Sequence, residues 1–239
     1  MLLRFTSSSS SIARQPFLPW TNEDAAFTSA RFFGVFDGVS QAPSSRAFAR
    51  CLADSTRAQL LEAERDGYGD EPWPGQAQSV LRRAASAASK IDGAATACLL
   101  RLDAEKQRCA IYNLGDSGFL LLSPVNSRSG GGIKFRVSAR SSPRIHKEGS
   151  PYQLAGGTSL YSDSPSSGAA AAHALQPGCI ALLHTDGLLD NLGLEEVEAC
   201  CARAARKGGG AAIAKTLAEE AKRAGKRADD ITVVAITVD

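Results

Sequence analysis

Short apolar runs alternate along the chain with longer segments in which apolar residues recur every three or four positions. Arg31–Phe36 is an apolar, aromatic run that ends at Asp37–Gly38, and Cys179–His184 leads in the same way to Asp186–Gly187. Runs of this length, bounded by turn-forming pairs, predict buried strands. Each of these two strands therefore delivers an aspartate to a turn.

Four segments have the spacing of amphipathic helices. Ser44 or Ser45 can cap the first, and Pro74 precedes the second, at a position where proline favours a helix start. Glycines follow or separate the others, as expected at helix ends. The first predicted helix runs from the Ser44 or Ser45 cap to about Glu64. The other three cover Gln76–Ile91, about Leu194–Arg206 and Gly210–Ala224.

The middle of the chain changes to the pattern of strands joined by short turns. Three consecutive runs predict an antiparallel meander, Ile133–Ala139 adds a further strand, and Ile231–Val238 closes the chain. Between them, Ser141–Ala172 is predicted to be irregular, with low-complexity small residues over Pro165–Ala172. Strands in the middle with helix pairs on either side indicate an α+β sandwich. The three runs of the meander are Ala95–Leu102, Arg108–Leu114 and Phe119–Ser123.

Composition narrows the classes of protein that this sequence can encode. The 239 residues are 44% hydrophobic, which is enough for a large core. The net charge of +2 is too small to indicate binding to nucleic acid. No apolar run has the length of a membrane span. The six cysteines form no CxxC pair, which favours a reducing compartment over a disulfide framework.

The first twenty residues differ from the rest. They contain two arginines and the serine run Ser7–Ser11, and no acidic residue occurs before Glu23. This composition is typical of a transit peptide, which predicts a mitochondrial or plastid protein; the alternative is a disordered N-terminus of a cytoplasmic one. The predicted domain then covers residues 21–239.

Aspartates stand repeatedly at the ends or entrances of predicted strands. Asp37, Asp116, Asp186 and Asp229 share this placement, and the first three are each followed or preceded by a glycine. One such aspartate is usually a turn residue, but clustered carboxylates repel one another unless a cation compensates them. Oxygen ligands suit Mg²⁺ or Mn²⁺, and two such ions can activate a water molecule for attack on a phosphorus atom.

Six blocks follow one another from about Asn22 to the C-terminus: NEDAAF, FFGVFDGVSQ, GAATACLLRLD, YNLGDSGFLLL, HTDGLLDNL and ADDITVVAI. In this order they resemble the type 2C, metal-dependent (PPM) Ser/Thr protein phosphatases. Two further segments, SPYQLA and YSDSP, resemble a compact single-domain branch often sent to mitochondria or plastids.

This resemblance implies two packed antiparallel sheets flanked by helices, with two Mg²⁺ or Mn²⁺ ions in a cleft at one end. It implies that Asp37 bridges both ions and that the Gly38 carbonyl ligates one of them. Asp186 and Asp229 would bind the other ion, and Asp116 a weaker third. Glu23 and Asp24 would hold waters of the metal shell. The substrates would be phosphorylated proteins, and the chain is expected to act as a monomer.

The sequence also departs from the family. Val39 stands where many relatives have a histidine, a candidate general acid, although the compact branch also has valine there. Ser40–Gln41 replace a glycine pair. Relatives often have a phosphate-binding arginine just before Glu23; here Pro19 stands near that position, and Arg14 is too distant along the chain to match it. The metal-binding half of the predicted site is complete, and the phosphate-binding half is not.

Two rival interpretations remain open at this point. Cys51 to Arg57 fits the C-x5-R pattern of cysteine-dependent phosphatases, although it lacks glycine and lies in a helical pattern. The other is a catalytically silent module that binds phosphoproteins or regulates a partner. The retention of Asp37, Asp186 and Asp229 opposes this second interpretation.

Overall fold

The computed structural model describes residues 3–15, 17–18, 21–67, 72–125, 133–158 and 161–239. Within them the chain forms twelve β-strands and five α-helices. In chain order these are β1 Phe5–Ile12, β2 Ala25–Thr28, β3 Phe32–Phe36, α1 Ser45–Arg65, α2 Gly75–Ala87, β4 Ala94–Ala95, β5 Ala97–Asp103, β6 Arg108–Leu114, β7 Gly118–Val125, β8 Lys134–Arg140, β9 Leu154–Ala155, β10 Ala169–Ala174, β11 Ile180–His184, α3 Asp186–Leu189, α4 Leu194–Gly208, α5 Ile213–Ala224 and β12 Ile231–Val238.

Ten of these strands form two antiparallel five-stranded sheets. One sheet has the order β1-β12-β11-β7-β8 and the other the order β10-β6-β5-β3-β2, while β4 and β9 form a separate small pair. The two sheets pack on each other, α1 and α2 cover the second sheet, and α4 and α5 cover the first. The predicted α+β sandwich of two antiparallel sheets flanked by helices is confirmed.

The central strands of the sandwich are buried on both faces, which explains their continuous apolar sequences. In β12, Val233 and Ala235 pack toward the helices, while Val234 and Ile236 point into the layer between the sheets. In β3, Phe32 and Phe36 face α1 and α2, while Phe33 and Val35 fill the space between the sheets. The period-2 alternation of side chains therefore separates three apolar layers.

The expected three-stranded meander is wrong in one respect. β5 and β6 form a hairpin in one sheet, but β7 lies in the other sheet and pairs with β8 and β11. The chain crosses between the sheets at Gly115–Ser117, where the backbone of Gly115 has a φ of 108°. This crossing places Asp116 at the edge shared by both sheets.

Small-residue segments that were predicted to be irregular are in part regular. Within Pro165–Ala172, a 3-10 turn covers Pro165–Ser167 and an edge strand, β10, begins at Ala169. β10 pairs with β6 over six residues, and its alanines are mostly exposed. The backbone ladder with β6 holds this strand without an apolar face.

The N-terminal segment contributes to the sandwich. Phe5–Ile12 pairs with β12 over its whole length and so forms a strand of the first sheet, while the domain boundary at residue 21 stays a prediction. Serine hydroxyls replace apolar contacts: Ser8 donates to the carbonyl of Gly210, and Ser11 is hydrogen-bonded to Thr232. Cleavage as a transit peptide stays a prediction. Pro19 lies outside the described residues, as do residues 68–71 and 126–132.

Candidate active site

Four of the predicted aspartates lie along one cavity at an edge of the sandwich. Asp37 follows β3, Asp116 lies between β6 and β7, Asp186 begins α3 directly after β11, and Asp229 precedes β12. All four line a cavity of about 810 Å³, together with Gly38. Strand ends from both sheets therefore meet at one cleft.

Within the cleft the carboxylates form two groups that share one member. Oxygens of Asp37, Asp116 and Asp186 lie within 4.8 Å of one another, and so do oxygens of Asp186, Asp190 and Asp229. Such spacing suits the oxygen coordination of a hard divalent cation at each group. Asp186 can contribute to both.

Two glycines allow the backbone to bring these residues together. A Cβ at Gly38 would lie 2.6 Å from the carbonyl oxygen of Glu23, so only glycine lets the Asp37 turn pack against the segment before β2. A Cβ at Gly187 would collide with the carbonyl oxygen of Asp230. Glycine is thus required where α3 meets the turn that carries Asp229.

Without a cation the cleft holds carboxyl groups that resist ionisation. Burial, and then the charge of Asp24, raises the pKa of Asp37 well above its ordinary value. Burial and the charges of Asp116 and Asp229 raise the pKa of Asp186 to about 7. Burial also raises the pKa of Asp116 and of Asp229. Clustered acids of this kind are the chemistry that a divalent cation stabilises.

Glu23 and Asp24 lie behind the turn at Gly38. The Glu23 carboxylate accepts hydrogen bonds from Arg14, at 2.8 Å, and from Ser40. Asp24 is buried; one carboxylate oxygen accepts a hydrogen bond from Thr185 at 2.9 Å, and the other has no partner among the described residues. Burial raises the pKa of Asp24 to about 8, opposed in part by a hydrogen bond that its carboxylate accepts from a threonine hydroxyl.

Arg14 reaches the site, although its distance along the sequence predicted that it would not. Its backbone N–H donates to a carboxylate oxygen of Asp230 at 2.6 Å, and the N–H of Glu23 donates to the other at 2.9 Å. Asp230 therefore ties the end of β1 to the start of the next segment. This tie spans the intervening residues and brings the Arg14 guanidinium to Glu23 and Ser40.

Sequence reasoning missed two residues of the cleft. Asp190 belongs to the second carboxylate group and pairs with Arg227, whose guanidinium lies 2.6 Å from it and 3.8 Å from Asp229. Asp190 follows Asp186 by four residues, one helical turn, and that spacing was available in the sequence. No comparable signal marks Arg227.

The turn that carries Arg227 is held from behind by Asn191. Its amide donates to the carbonyls of Gly187 and Arg227, at 2.9 and 3.1 Å, and its side-chain oxygen accepts from the N–H of Arg227. Asn191 is buried. It therefore couples α3 to the loop before β12, as a supporting residue would.

The cysteine-dependent alternative does not fit the structure. Cys51 lies in the middle of α1, half-buried, with the helix continuing to Arg65. A phosphate-binding loop needs free backbone N–H groups, and those of a helix interior are already bonded. The C-x5-R match is therefore fortuitous.

Among the residues that the structure describes, none of the helices combines the length and apolarity that a membrane crossing needs.

Comparison with known proteins relates the chain to phosphatases. Residues 160–239 match a family described as stage II sporulation protein E (SpoIIE). A protein phosphatase PTC7 homolog, fig, of Drosophila virilis is 34% identical over 185 residues, which cover 71% of this chain and 55% of the relative. The D. sechellia relative of the same name is 39% identical over 107 residues, 30% of its length. The chain thus spans about half, or less, of the curated relatives that it matches.

Solved structures share the fold over nearly the whole chain. The photosystem II phosphatase PBCP superposes with a TM-score of 0.77 at 22% identity, covering 99% of both chains. The catalytic domain of the serine/threonine phosphatase PstP, in complex with two manganese ions, gives 0.64 at 18% identity and covers 99% of this chain and 98% of its own. The chain thus has the fold of these phosphatases and is related in sequence to the PTC7 protein phosphatases.

Proposed function

We propose that this protein hydrolyses phosphoserine and phosphothreonine in proteins, with two Mg²⁺ or Mn²⁺ ions held by the cleft carboxylates. The observation that carries the proposal is the pair of three-carboxylate groups that share Asp186 on one open cavity. When bound, two such ions supply a nucleophile from water and polarise the phosphoryl group.

The remaining tasks fall to side chains of the chain itself. Asp186 belongs to both groups and would orient both ions, while Asp37 and Asp116 complete one group and Asp190 and Asp229 the other. Asn191 fixes the Asp186 helix against the Arg227 turn. Glu23 is fixed by backbone contact with Gly38 and would anchor the water shell on that side.

Arg14 is a candidate for the phosphate-binding arginine that the sequence alone does not identify. Its guanidinium contacts Glu23 and Ser40, and the side chain is 30% exposed, so part of it remains available to an anion. We infer that it exchanges Ser40 for a phosphate oxygen when substrate binds. Guanidinium groups favour such contacts because they donate two parallel hydrogen bonds.

Several finer predictions belong to the same proposal. A transit peptide at the N-terminus would direct the protein to a mitochondrion or plastid. The choice between Mg²⁺ and Mn²⁺, the monomeric state and the phosphoprotein substrates are likewise predictions. The PTC7 relatives and PstP, each named as a phosphatase, support the substrate class.

The test is hydrolysis of a phosphothreonine peptide with added Mn²⁺, with chelator, and by Asp186→Asn. We expect the chelator to abolish activity, and Asp186→Asn to lower kcat at least ~100-fold, because Asp186 belongs to both carboxylate groups. Asp66→Asn, at an exposed position after α1, is the matched control and should leave activity unchanged.

Activity that survives both chelator and Asp186→Asn would contradict the two-ion proposal. A folded, Mn²⁺-binding protein that binds phosphopeptides without hydrolysing them would favour the silent binding module instead.

A further inference from the structure

The cleft is lined by apolar side chains as well as by carboxylates. The apolar residues at this cavity include Val39, Pro143, Ile145, Pro151 and Leu189. Ile145 is 49% exposed, so much of its side chain is open to contact. An apolar surface that is continuous with a reactive cleft is a candidate contact for whatever part of a substrate extends beyond the reacting group.

Three of these residues, Pro143, Ile145 and Pro151, belong to a hairpin over residues 143–152, defined here as the rim hairpin; they form the apolar wall of the cleft. At its base, the N–H of Arg144 donates to the carbonyl of Gly115 at 2.8 Å, and the N–H of Tyr152 donates to the carbonyl of Arg144 at 2.9 Å. Ile145 and Pro151 face each other across the hairpin. Because Gly115 precedes Asp116, the hairpin is anchored directly beside a cleft carboxylate.

A second anchor holds the far strand of the rim hairpin. His146 Nε2 lies 3.1 Å from a carboxylate oxygen of Asp163, and the same oxygen accepts the backbone N–H of Gln153 at 2.9 Å. The ring of Tyr152 packs on His146 at 4.1 Å and carries the Arg144 guanidinium on its face at 5.1 Å. Ile145 is thus presented on a supported backbone rather than on a free loop.

The apolar wall lies beside the carboxylates, and this position determines which part of a substrate can contact it. A phosphorylated side chain has to enter the cleft to bring its phosphorus to Asp37 and Asp186, so the peptide chain that carries it lies along the rim. The residues next to the phosphorylated one then reach the rim hairpin. Glu148 lines the same side of the cavity, and its carboxylate repels an acidic neighbour at that place.

We propose that the rim hairpin selects substrates in which an aliphatic side chain adjoins the phosphorylated residue, with Ile145 as its main contact. The inference rests on the proposed phosphatase function and narrows its substrate class. Acidic sequences around the phosphorylated residue are disfavoured by the same wall. Aryl phosphates, which have no flanking residues, do not depend on it.

The test compares two phosphothreonine peptides that differ only in their flanking residues, leucine or aspartate, with para-nitrophenyl phosphate as a third substrate. For the unaltered protein with Mn²⁺, we expect kcat/KM to be at least tenfold higher for the leucine peptide. Ile145→Ser should reduce that preference about fivefold, within the range that one apolar contact contributes to discrimination. Turnover of the aryl phosphate should not change.

Ile133→Ser is the matched control, since Ile133 is 54% exposed and does not line the cleft. It should leave all three rates unchanged, and equal thermal midpoints would exclude unfolding as the cause in Ile145→Ser. An unaltered protein without preference, or a preference that Ile145→Ser retains, would overturn the inference.

Binding separates this inference from the proposed function. The same peptides, labelled and titrated against Asp186→Asn by fluorescence anisotropy, should show the leucine preference in Kd. A binding preference that Ile145→Ser weakens, without hydrolysis of any substrate by the unaltered protein, would reject the phosphatase function and support the rim contact. Equal Kd values for the two peptides, together with hydrolysis by the unaltered protein, would support the phosphatase function and reject the rim contact.

Discussion

Asp186 shows how a single carboxyl group couples stability to the metal. Burial raises its pKa to about 7 from an ordinary value of 3.8. A group whose pKa is higher in the folded chain binds more protons there than in the unfolded chain, so the free energy of unfolding falls as pH rises between those values. In chelator we expect the protein to lose stability between about pH 4 and pH 7, and Mn²⁺ to restore it.

Asp186→Asn should flatten that dependence, since an amide does not titrate. The expected difference between variant and unaltered protein is ~1 kcal/mol or more at pH 7, or about 2–4 °C in thermal midpoint. Midpoints measured across this pH range in chelator give the answer. A midpoint that rises with pH in the unaltered, metal-free protein would contradict the burial of these acids.

Arg14 yields a prediction at the same scale. If its guanidinium takes up a phosphate oxygen, Arg14→Ala should raise KM for an aryl phosphate about tenfold, the value of one charge-assisted hydrogen bond, with a smaller effect on kcat. Arg4→Ala, exposed at the start of β1, is the control. Equal KM values for both variants would assign Arg14 to holding Glu23 alone.

The residues of the site divide by how they could be found. Asp37, Asp186 and Asp229 adjoin apolar runs and turn signals, and sequence pattern identifies such positions. Asp190 was recognisable from its i+4 spacing and was missed. Arg14 was not recognisable, because its position depends on the bond between its backbone and Asp230, more than two hundred residues later. Local patterns carry no information on such a contact.

At the scale of elements, β1 is the part of the fold that most needed the structure. Its sequence is mainly serine, and its order comes from the ladder with β12 and from hydroxyl hydrogen bonds. The same holds for β10, an edge strand of alanines. β3, β11 and β12 were predictable because burial on both faces requires continuous apolar sequence.

Removal of β1 tests whether the N-terminal segment is structural. A chain that begins at Ala13 exposes the edge of β12, and we expect its thermal midpoint to fall by about 10 °C or more, or the protein to aggregate. A chain that begins at Leu3 retains the strand and should match the full chain. Equal midpoints for all three would instead favour a removable transit peptide over Met1–Trp20.

For the whole molecule, metal binding should appear as stability. A ligand at 100 times its Kd stabilises the folded state by ~2.7 kcal/mol, which corresponds to about 5–10 °C for a domain of this size. We expect such a shift with Mn²⁺ in a thermal scan, its loss in Asp186→Asn, and its retention in Asp66→Asn. An undiminished shift in Asp186→Asn would place the ion elsewhere.

The pairing of β1 with β12 also affects the order in which the protein can be completed during synthesis. β12 lies between β1 and β11, so the first sheet cannot close until residues 231–238 have left the ribosome. Until then β1 lacks its partner, and the turn with Asp229 has no strand to hold it. The carboxylate group that includes Asp229 is therefore assembled last, and until then the edge of β1 stays unpaired, which is the kind of exposed edge that favours aggregation during synthesis.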